Sequence, residues 1–449
     1  MTAPATRDRA RFDEEGNTRP TGGNFISHDA SDDGIDRRGF LRCMAWAGTG
    51  VVWSMAGGVP TSIPLSRLPL LTEEQRKSIF FAQISDSHIG FNKDANKDVT
   101  ATLQEAVAKL NALPQNPAFV LHTGDITQLA KAEEFDTANE VLKGVTTDRI
   151  FYVPGEHDVA SDNGTSYLQR YGKGTRGGGW HSFDVKGVHF VGLVNVLDLK
   201  AGGLGNLGAE QIAWLKKDVA HLPSSTPIVL FAHVPLWSVY PDWGWGTDDS
   251  EQALALVKRF GSVTVLNGHI HQIMQKVEGH MSFHTAMSTA FPQPAPGTAA
   301  GPGPMKVEAD RLQSVLGIAS VTFIPGRSTL AVVDATLSGQ PPAFEAASHD
   351  AMMRRQTERK NLSLAANQIG IDNFRFTPSP LTVKGGTKVT WINTDDVPHL
   401  IVNVQGAFKS PVLDSDQRYT ATLSKPGTYD YFCSLHPKMQ GKIVVNAPR

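Results

Sequence analysis

Five short polar motifs each follow a run of apolar residues, and this repeated arrangement constrains the fold more than any other feature of the chain. The apolar runs cover residues 79–84, 119–121, 150–153, 228–231 and 263–266. They are short, continuous and rich in Ile, Val, Leu and Phe, which is typical of strands buried on both faces. The motifs that follow them are Asp86-Ser-His88, Gly124-Asp125, Gly155-Glu156-His157-Asp158, Ala232-His233 and Gly268-His269-Ile-His271.

Apolar residues between these runs recur at helical spacing, as at Leu103, Val107 and Leu110. Alternating strands and helices predict βαβ units around a largely parallel sheet. In such sheets ligands bind at the carboxyl ends of the strands, which is where all five motifs lie. Their carboxylates and imidazoles are the ligands that a pair of divalent or trivalent metal ions requires.

The five motifs, in this order, resemble those of the calcineurin-like metallophosphoesterase superfamily, and the likeness covers roughly residues 78–337. The resemblance implies an α/β fold of two mixed sheets packed face to face and flanked by helices. It also implies two metal ions, which could be Mn, Fe or Zn. The implied ligands are Asp86, His88 and His271 at one metal, Asp125 as a bridge, and His233 and His269 at the second metal.

The chain departs from the family pattern at Glu156, where the family usually has an Asn that binds the second metal. A glutamate can also bind a metal through oxygen. It adds one negative charge and one methylene group, so the metal preference is left open.

The resemblance implies hydrolysis of phosphate mono- or diesters. Two cations bridged by a carboxylate lower the pKa of a shared water and neutralise charge on the ester. We expect His157 to protonate the leaving alkoxide and Asp158 to fix the tautomer of His157. Aromatic residues close after His233 either contact an apolar leaving group or pack their own loop. These residues are Trp237, Tyr240, Trp243 and Trp245.

The last eighty residues change character, because short β-type runs separated by Gly, Pro and Asp replace the helical spacing. This pattern predicts a small all-β sandwich. Within it lie His399, Cys433, His436 and Met439. One thiolate, two imidazoles and a weak thioether ligand form a blue-copper site. The motif resembles the cupredoxins, and its Cys–His and His–Met spacings are most similar to amicyanin, which implies one bound copper ion.

The N-terminal region is polar and without periodicity up to residue 34, which indicates disorder. Asp36-Arg-Arg-Gly-Phe-Leu-Arg42 then precedes a moderately apolar stretch, residues 43–59. This arrangement resembles a twin-arginine signal and predicts export of the folded protein to the periplasm or another extracytoplasmic site. The segment is too short and Gly-interrupted for a membrane span, but if uncleaved it could attach the protein to a membrane.

The predicted organisation has five parts. These are a polar N-terminus (1–35), a signal or anchor (36–62), a metallophosphoesterase domain (63–340), a linker (341–369) and a cupredoxin domain (370–449). With 42 basic and 44 acidic residues, the charge gives no reason to expect nucleic-acid binding.

Two functional hypotheses follow from these features. In the first, the chain is an exported dinuclear-metal phosphoesterase that acts on a phosphate ester and carries a type 1 copper domain. In the second, it is a copper-binding or electron-transfer protein that uses the phosphoesterase fold as a scaffold or regulated partner. A redox partner for copper is possible under both hypotheses.

Overall fold

The structure is a computed structural model that describes residues 51–56, 59–64, 78–147, 149–323, 330–339 and 363–447. The predicted twin-arginine motif and most of the predicted linker lie outside the described residues. Strands β1 (Val51–Ala56) and β2 (Val59–Pro64) pair antiparallel in a small sheet of their own.

The first large sheet has five strands in the order β13-β12-β3-β4-β5. Strands β3, β4 and β5 extend from the centre of the sheet to one edge and run parallel. Each of them precedes one of the polar motifs. The strands are β3 (Ile79–Ile84), β4 (Val120–His122), β5 (Ile150–Tyr152), β12 (Gly317–Phe323) and β13 (Ala331–Thr336).

The second large sheet has six strands in the order β10-β11-β9-β8-β7-β6. Its four inner strands are parallel, and an antiparallel strand lies at each edge. The strands are β6 (His181–Val185), β7 (Val188–Gly192), β8 (Ile228–Ala232), β9 (Val263–Asn267), β10 (Gln275–Glu278) and β11 (Met281–Thr285).

The two sheets pack face to face through an aromatic core. The ring centroids of Phe81 and Phe119 in the first sheet lie 5.3 and 5.1 Å from that of Phe190 in the second. Helices cover the outer face of the first sheet, and two more helices contact each other elsewhere in the domain. The helices are α1 (Val99–Asn111), α2 (Ala132–Leu142), α3 (Glu156–Val159), α4 (Thr165–Tyr171), α5 (Ala209–Val219) and α6 (Ser250–Val257). The predicted fold class is confirmed.

The C-terminal residues form an all-β sandwich of two four-stranded sheets, as predicted, around buried Trp391 and Tyr431. One sheet contains β14 (Gln368–Ile371), β15 (Phe376–Thr377), β17 (Thr387–Asn393) and β19 (Arg418–Leu423). The other contains β16 (Leu381–Lys384), β18 (Ile401–Asn403), β20 (Gly427–Cys433) and β21 (Gln440–Asn446).

Three of these strands, β14, β15 and β19, were not predicted. Strand β19 reads Arg-Tyr-Thr-Ala-Thr-Leu, and only its last residue, Leu423, is buried. A half-exposed strand of this kind has no continuous apolar run for a sequence search to detect. Within the described ranges, no helix combines the length and apolar character needed to cross a bilayer.

Buried His189 in β7 connects β6 and α5 through hydrogen bonds to one carboxylate of each element. His189 Nδ1 lies 2.9 Å from an Asp184 carboxylate oxygen, and His189 Nε2 lies 3.0 Å from one of Asp218. Burial disfavours a charged ring, but hydrogen bonds to Asp218 and Asp184 outweigh it and raise the pKa of His189.

The raised pKa predicts pH-dependent stability. A charged His189 stabilises the fold fully below its unfolded pKa of about 6.5, and this contribution is lost as pH rises through the higher folded value. We therefore expect His189→Gln to lower the free energy of unfolding more at low pH than at high pH, as measured by urea denaturation. Exposed His280→Gln, far from Asp184 and Asp218 in the sequence, is the control. An equal loss at both pH values would contradict the role of the charge.

Candidate metal centres and their shared cavity

The ends of three strands turn sharply in a backbone conformation that is uncommon for non-glycine residues. Asp86, His88, Asp125, His269 and His271 have φ of 54°, 43°, 50°, 72° and 51°. Such left-handed residues cost conformational energy and cluster at functional sites. Here they turn carboxylates and imidazoles from separate strands into one buried cluster.

The first group of this cluster contains Asp86, His88 and His271, whose ligand atoms lie within 4.8 Å of one another. His271 Nε2 is 3.3 Å from Asp86 Oδ1, and His88 Nε2 is 3.2 Å from His271 Nε2. All three residues are buried. This is the set that the resemblance assigned to one metal.

The second group contains Glu156, His233 and His269. Glu156 Oε2 lies 3.1 Å from His233 Nε2, and Glu156 Oε1 lies 3.0 Å from His269 Nδ1. Asp125 lies between the groups, with Oδ2 3.5 Å from His88 Nε2 and 3.3 Å from His233 Nε2. The structure therefore brings all seven predicted ligands together, with Asp125 between the two groups.

Hydrogen bonds on the far side of three rings fix which nitrogen faces the cluster. His88 Nδ1 contacts Gln128 Oε1 at 2.9 Å, His233 Nδ1 contacts the Thr123 carbonyl at 2.7 Å, and His271 Nδ1 contacts the Phe291 carbonyl at 2.6 Å. An imidazole that donates through Nδ1 presents the lone pair of Nε2, which is how metal-binding histidines are commonly held. These partners could not be predicted from residue types, because two of them are backbone carbonyls.

The donor set fits cations. Asp86, Asp125 and Glu156 are buried carboxylates in one cluster, and buried charges need opposite charges beside them. Glu156 Oε2 is buried without a hydrogen-bond donor, because His233 donates through Nδ1 to Thr123 and presents a lone pair at Nε2. Gly155 permits this crowding, since a Cβ there would lie 2.0 Å from Asp125 Oδ1.

His157 lies at the edge of the cluster. Its backbone N–H donates to Asp125 Oδ1 at 3.0 Å, and its Nδ1 lies 2.8 Å from the Gln128 carbonyl. Burial disfavours the charged ring, but Asp125 and Glu156 outweigh burial and raise the pKa of His157. A protonated imidazole with Nδ1 held in this way can donate a proton from Nε2.

The prediction for Asp158 was wrong in its contact. Its carboxylate accepts hydrogen bonds from the N–H groups of Ile126, Thr127 and Gly155 and from the Thr127 hydroxyl, at 2.9–3.1 Å. These donors point inward from the neighbouring loop and occupy the carboxylate, while the Gln128 carbonyl fixes the His157 ring. Asp158 therefore joins the loops after β4 and β5 and does not orient His157 directly.

The predicted copper ligands also converge. His399, Cys433 and His436 form a group with ligand atoms within 4.8 Å, and the two Nδ1 atoms are 3.3 Å apart. Cys433 Sγ lies 3.6 Å from His436 Nδ1 and accepts the Leu400 N–H at 3.5 Å. Met439 is buried in the same hydrophobic cluster as Cys433, and its backbone bonds to both Cys433 and His436. One thiolate and two imidazoles fit type 1 copper.

Asp395 is a functional residue that the sequence analysis did not single out. Its carboxylate lies 2.9 Å from His399 Nε2, which leaves Nδ1 to face Cys433. Burial disfavours a charged His399, but the Asp395 carboxylate outweighs burial and raises the pKa of His399 to about 9. The sequence Asn393-Thr-Asp395-Asp-Val-Pro-His399 does contain a signal, an acidic residue four positions before the histidine.

A cavity borders the cluster that contains Asp125, and its empty volume, which includes open solvent, is ≈ 400 Å³. Trp243 and Trp245 line it, whereas Trp237 is buried with its ring 5.3 Å from that of Phe283. The aromatic residues after His233 thus divide between the two interpretations that the sequence left open. The other wall comes from the C-terminal sandwich, through Phe374, Val397 and His436.

Comparison with known proteins agrees with this geometry. Residues 81–273 match the calcineurin-like phosphoesterase family, and residues 348–445 match the cupredoxin-like domain family. The chain joins a calcineurin-like phosphoesterase domain to a cupredoxin domain. The first is a metal-dependent phosphoesterase domain by family.

Individual relatives fall in the same two regions. Amicyanin-alpha of Methylorubrum extorquens is 36% identical over 85 residues, which are 18% of this chain and 71% of that protein. Amicyanin of Paracoccus versutus is 35% identical over 17% of this chain, and this chain spans 62% of its length. The probable glycerophosphodiester phosphodiesterase GpdQ of Arcobacter nitrofigilis is 27% identical over 46% of this chain and 77% of that protein.

Replacing Glu156 by Asn tests what the additional carboxylate does. Glu156→Asn removes one negative charge beside His233 and His269, so we expect weaker retention of a trivalent ion at this group. Because the amide oxygen of Asn can still bind a metal, we expect the loss of charge to weaken retention by about 10-fold, the lower end of the effect of removing an outer-shell partner. Metal content after dialysis against a chelator measures the change.

Exposed Glu140→Gln, which removes the same charge far from the cluster, is the matched control. Retention of the trivalent ion by Glu156→Asn at the wild-type level would show that the negative charge of Glu156 does not contribute to holding that ion.

Proposed function

We propose that the chain is a hydrolase of phosphate esters that works with two metal ions and carries a type 1 copper ion in its cupredoxin domain. Asp125 would bridge the two ions. The other proposed ligands are Asp86, His88 and His271 at one ion, Glu156, His233 and His269 at the second, and His399, Cys433, His436 and Met439 at copper.

The observation that carries the proposal is the position of Asp125. Its carboxylate lies within 3.5 Å of an imidazole nitrogen from each of the two groups, His88 and His233. The same cluster borders the open cavity, so a substrate can reach it. A carboxylate shared by two ligand groups at the floor of a cavity is the arrangement that two-metal hydrolysis requires.

When bound, two metal ions supply an activated water and neutralise charge on the ester. The protein residues do the remaining work. The Gln128 carbonyl holds the Nδ1–H of His157, which leaves Nε2 free to carry a proton, and the His157 side chain lines the cavity. His157 would donate this proton to the leaving oxygen. Asp158 holds the loop that carries Asp125 by accepting the backbone N–H groups of Ile126 and Thr127.

The ester class proposed is a phosphodiester. The relatives of the phosphoesterase region include two glycerophosphodiester phosphodiesterases, from Arcobacter nitrofigilis and from Enterobacter lignolyticus, the second 28% identical over 210 residues. Monoesters are the comparison substrates in any assay.

The alternative is a copper or electron-transfer protein in which the phosphoesterase domain is a scaffold. The complete ligand cluster and the retained His157 support the hydrolase. Metal bound at the cluster without cleavage of either ester class would favour the alternative.

We further propose that the protein is exported in folded form, on the strength of the motif at residues 36–42. Replacing Arg37 and Arg38 by Lys should retain the protein in the cytoplasm, as measured by cell fractionation. Unchanged export of this double variant would contradict a twin-arginine route.

Replacing His157 separates proton donation from metal binding. We expect His157→Asn to lower kcat for an aryl phosphodiester by ~10²–10⁴-fold, the usual contribution of a general acid, while metal content stays near two ions per chain. Asp125→Asn should instead lose both metal and activity. Steady-state kinetics and elemental analysis of the same samples give the two readouts.

His280→Asn is the matched control, because His280 is exposed at the turn between β10 and β11. The proposed role of His157 would be wrong if His157→Asn kept the wild-type kcat.

A further inference from the structure

The wall of the cavity opposite the metal cluster belongs to the cupredoxin domain. Phe374, Val397 and the copper ligand His436 line the same space as Asp125 and Glu156. The ring centroid of His436 lies 6.4 Å from that of His157. The copper site and the proposed catalytic acid therefore border one cavity.

Specific contacts between the two domains hold this wall in place. Gly202 of the phosphoesterase domain donates its N–H to the Pro437 carbonyl at 2.7 Å, and its own carbonyl accepts from Lys438 Nζ at 2.7 Å. Both partners follow His436 directly in the copper-ligand loop. Gly301 lies so close to the Phe374 ring that a Cβ there would approach it to 2.6 Å.

A single carboxylate connects the copper site to the cavity wall. Asn373 and Phe374 have φ of 52° and 56°, and their N–H groups donate to Asp395 at 2.6 and 3.0 Å. The same carboxylate lies 2.9 Å from His399 Nε2. The Phe374 ring packs edge-on against His436, with centroids 4.8 Å apart. Asp395 thus sets both the copper ligand and the aromatic side chain over the cavity.

The lining of the cavity combines two kinds of side chain. The lining contains carboxylates and imidazoles of the metal cluster together with four aromatic residues, of which Trp243 and Phe374 are partly exposed and Trp245 and Phe291 are buried. Among the described residues that line the cavity, none is a lysine or arginine. A site of this kind suits an ester whose phosphate binds at the metal cluster and whose leaving group is small, planar and uncharged.

We propose that the cupredoxin domain forms part of the substrate site, with Phe374 and His436 contacting a planar apolar leaving group of the phosphate ester. This inference rests on the proposed phosphoesterase function and names its substrate class. Phe374 would determine the preference for a planar leaving group, and the copper ligand His436 would contact the same group.

Two ligands that differ by one ring test the contact. Phenylphosphonate and inorganic phosphate are titrated calorimetrically into the full chain loaded with copper and with the hydrolase metals. We expect Phe374→Ala to weaken phenylphosphonate binding about 3- to 10-fold, the range of an aromatic pair, and phosphate binding less than 2-fold. Phe374→Leu, which keeps apolar bulk without a ring, should weaken phenylphosphonate binding in the same direction.

Val404→Ala is the matched control, since Val404 is an exposed apolar residue of the same domain that does not line the cavity. Its ligand affinities and copper content should equal those of the wild type. Unchanged phenylphosphonate affinity in both Phe374 variants would overturn the proposal. So would an equal loss for both ligands, because it would show displacement of the domain instead of ring recognition.

The copper spectrum gives a readout independent of affinity. Because His436 borders the cavity, we expect phenylphosphonate to change the electron paramagnetic resonance signal of Cu(II) in the wild type, and Phe374→Ala to reduce that change. Saturating phenylphosphonate without any spectral change would contradict contact at His436.

Hydrolysis of aryl phosphodiesters by the same preparations separates the two proposals. If phenylphosphonate binding depends on Phe374 but no diester is hydrolysed, the proposed hydrolase is refuted and the contact between Phe374 and an aromatic ring stands. If the protein hydrolyses the diesters but the Phe374 variants change neither phenylphosphonate affinity nor KM, the hydrolase is supported and the proposed contact with Phe374 is refuted.

Discussion

The charge on Asp125 is the constraint around which the phosphoesterase domain is arranged. Its carboxylate is buried together with those of Asp86 and Glu156, and three negative charges cannot share an apolar interior without cations beside them. Four imidazoles surround these carboxylates, and three of them, His88, His233 and His271, have Nδ1 engaged by a fixed acceptor, so that their Nε2 lone pairs can bind such cations. The left-handed strand ends and Gly155 are consequences of the same requirement, because they let side chains from separate strands meet in a small volume.

Much of this arrangement was predictable from the sequence, for a physical reason. Parallel strands present their carboxyl ends at one edge of a sheet, so Asp86-Ser-His88 and Gly124-Asp125 had to lie close together once their preceding runs were recognised as buried strands. Gly268-His269-Ile-His271 follows a strand of the second sheet and meets them because the two sheets pack face to face. The copper group was equally accessible, since Cys433, His436 and Met439 are close in the chain. The unpredicted parts depend on contacts distant in sequence or on backbone atoms. Asp158 accepts from three amide groups, and no pattern of residue types reveals where amides point.

The position of Phe374 illustrates this limit most clearly. In the sequence it is an ordinary aromatic residue between two β-type runs, and only the docking of one domain on the other places it over the cavity. That docking depends on Gly202 and Gly301, whose function is to have no side chain at the contact. The two domains therefore share one cavity, and the cupredoxin domain contributes His436, the proposed copper ligand, to its lining.

Anomalous X-ray diffraction from crystals of the fully metal-loaded protein, collected at the absorption edge of each metal, would test this account most directly. It should locate two ions on either side of the Asp125 carboxylate and one copper ion among His399, Cys433 and His436, with the His436 ring between copper and the cavity. A single ion at Asp125, or copper at Asp125 and none at Cys433, would contradict the account of two distinct metal sites that share one cavity.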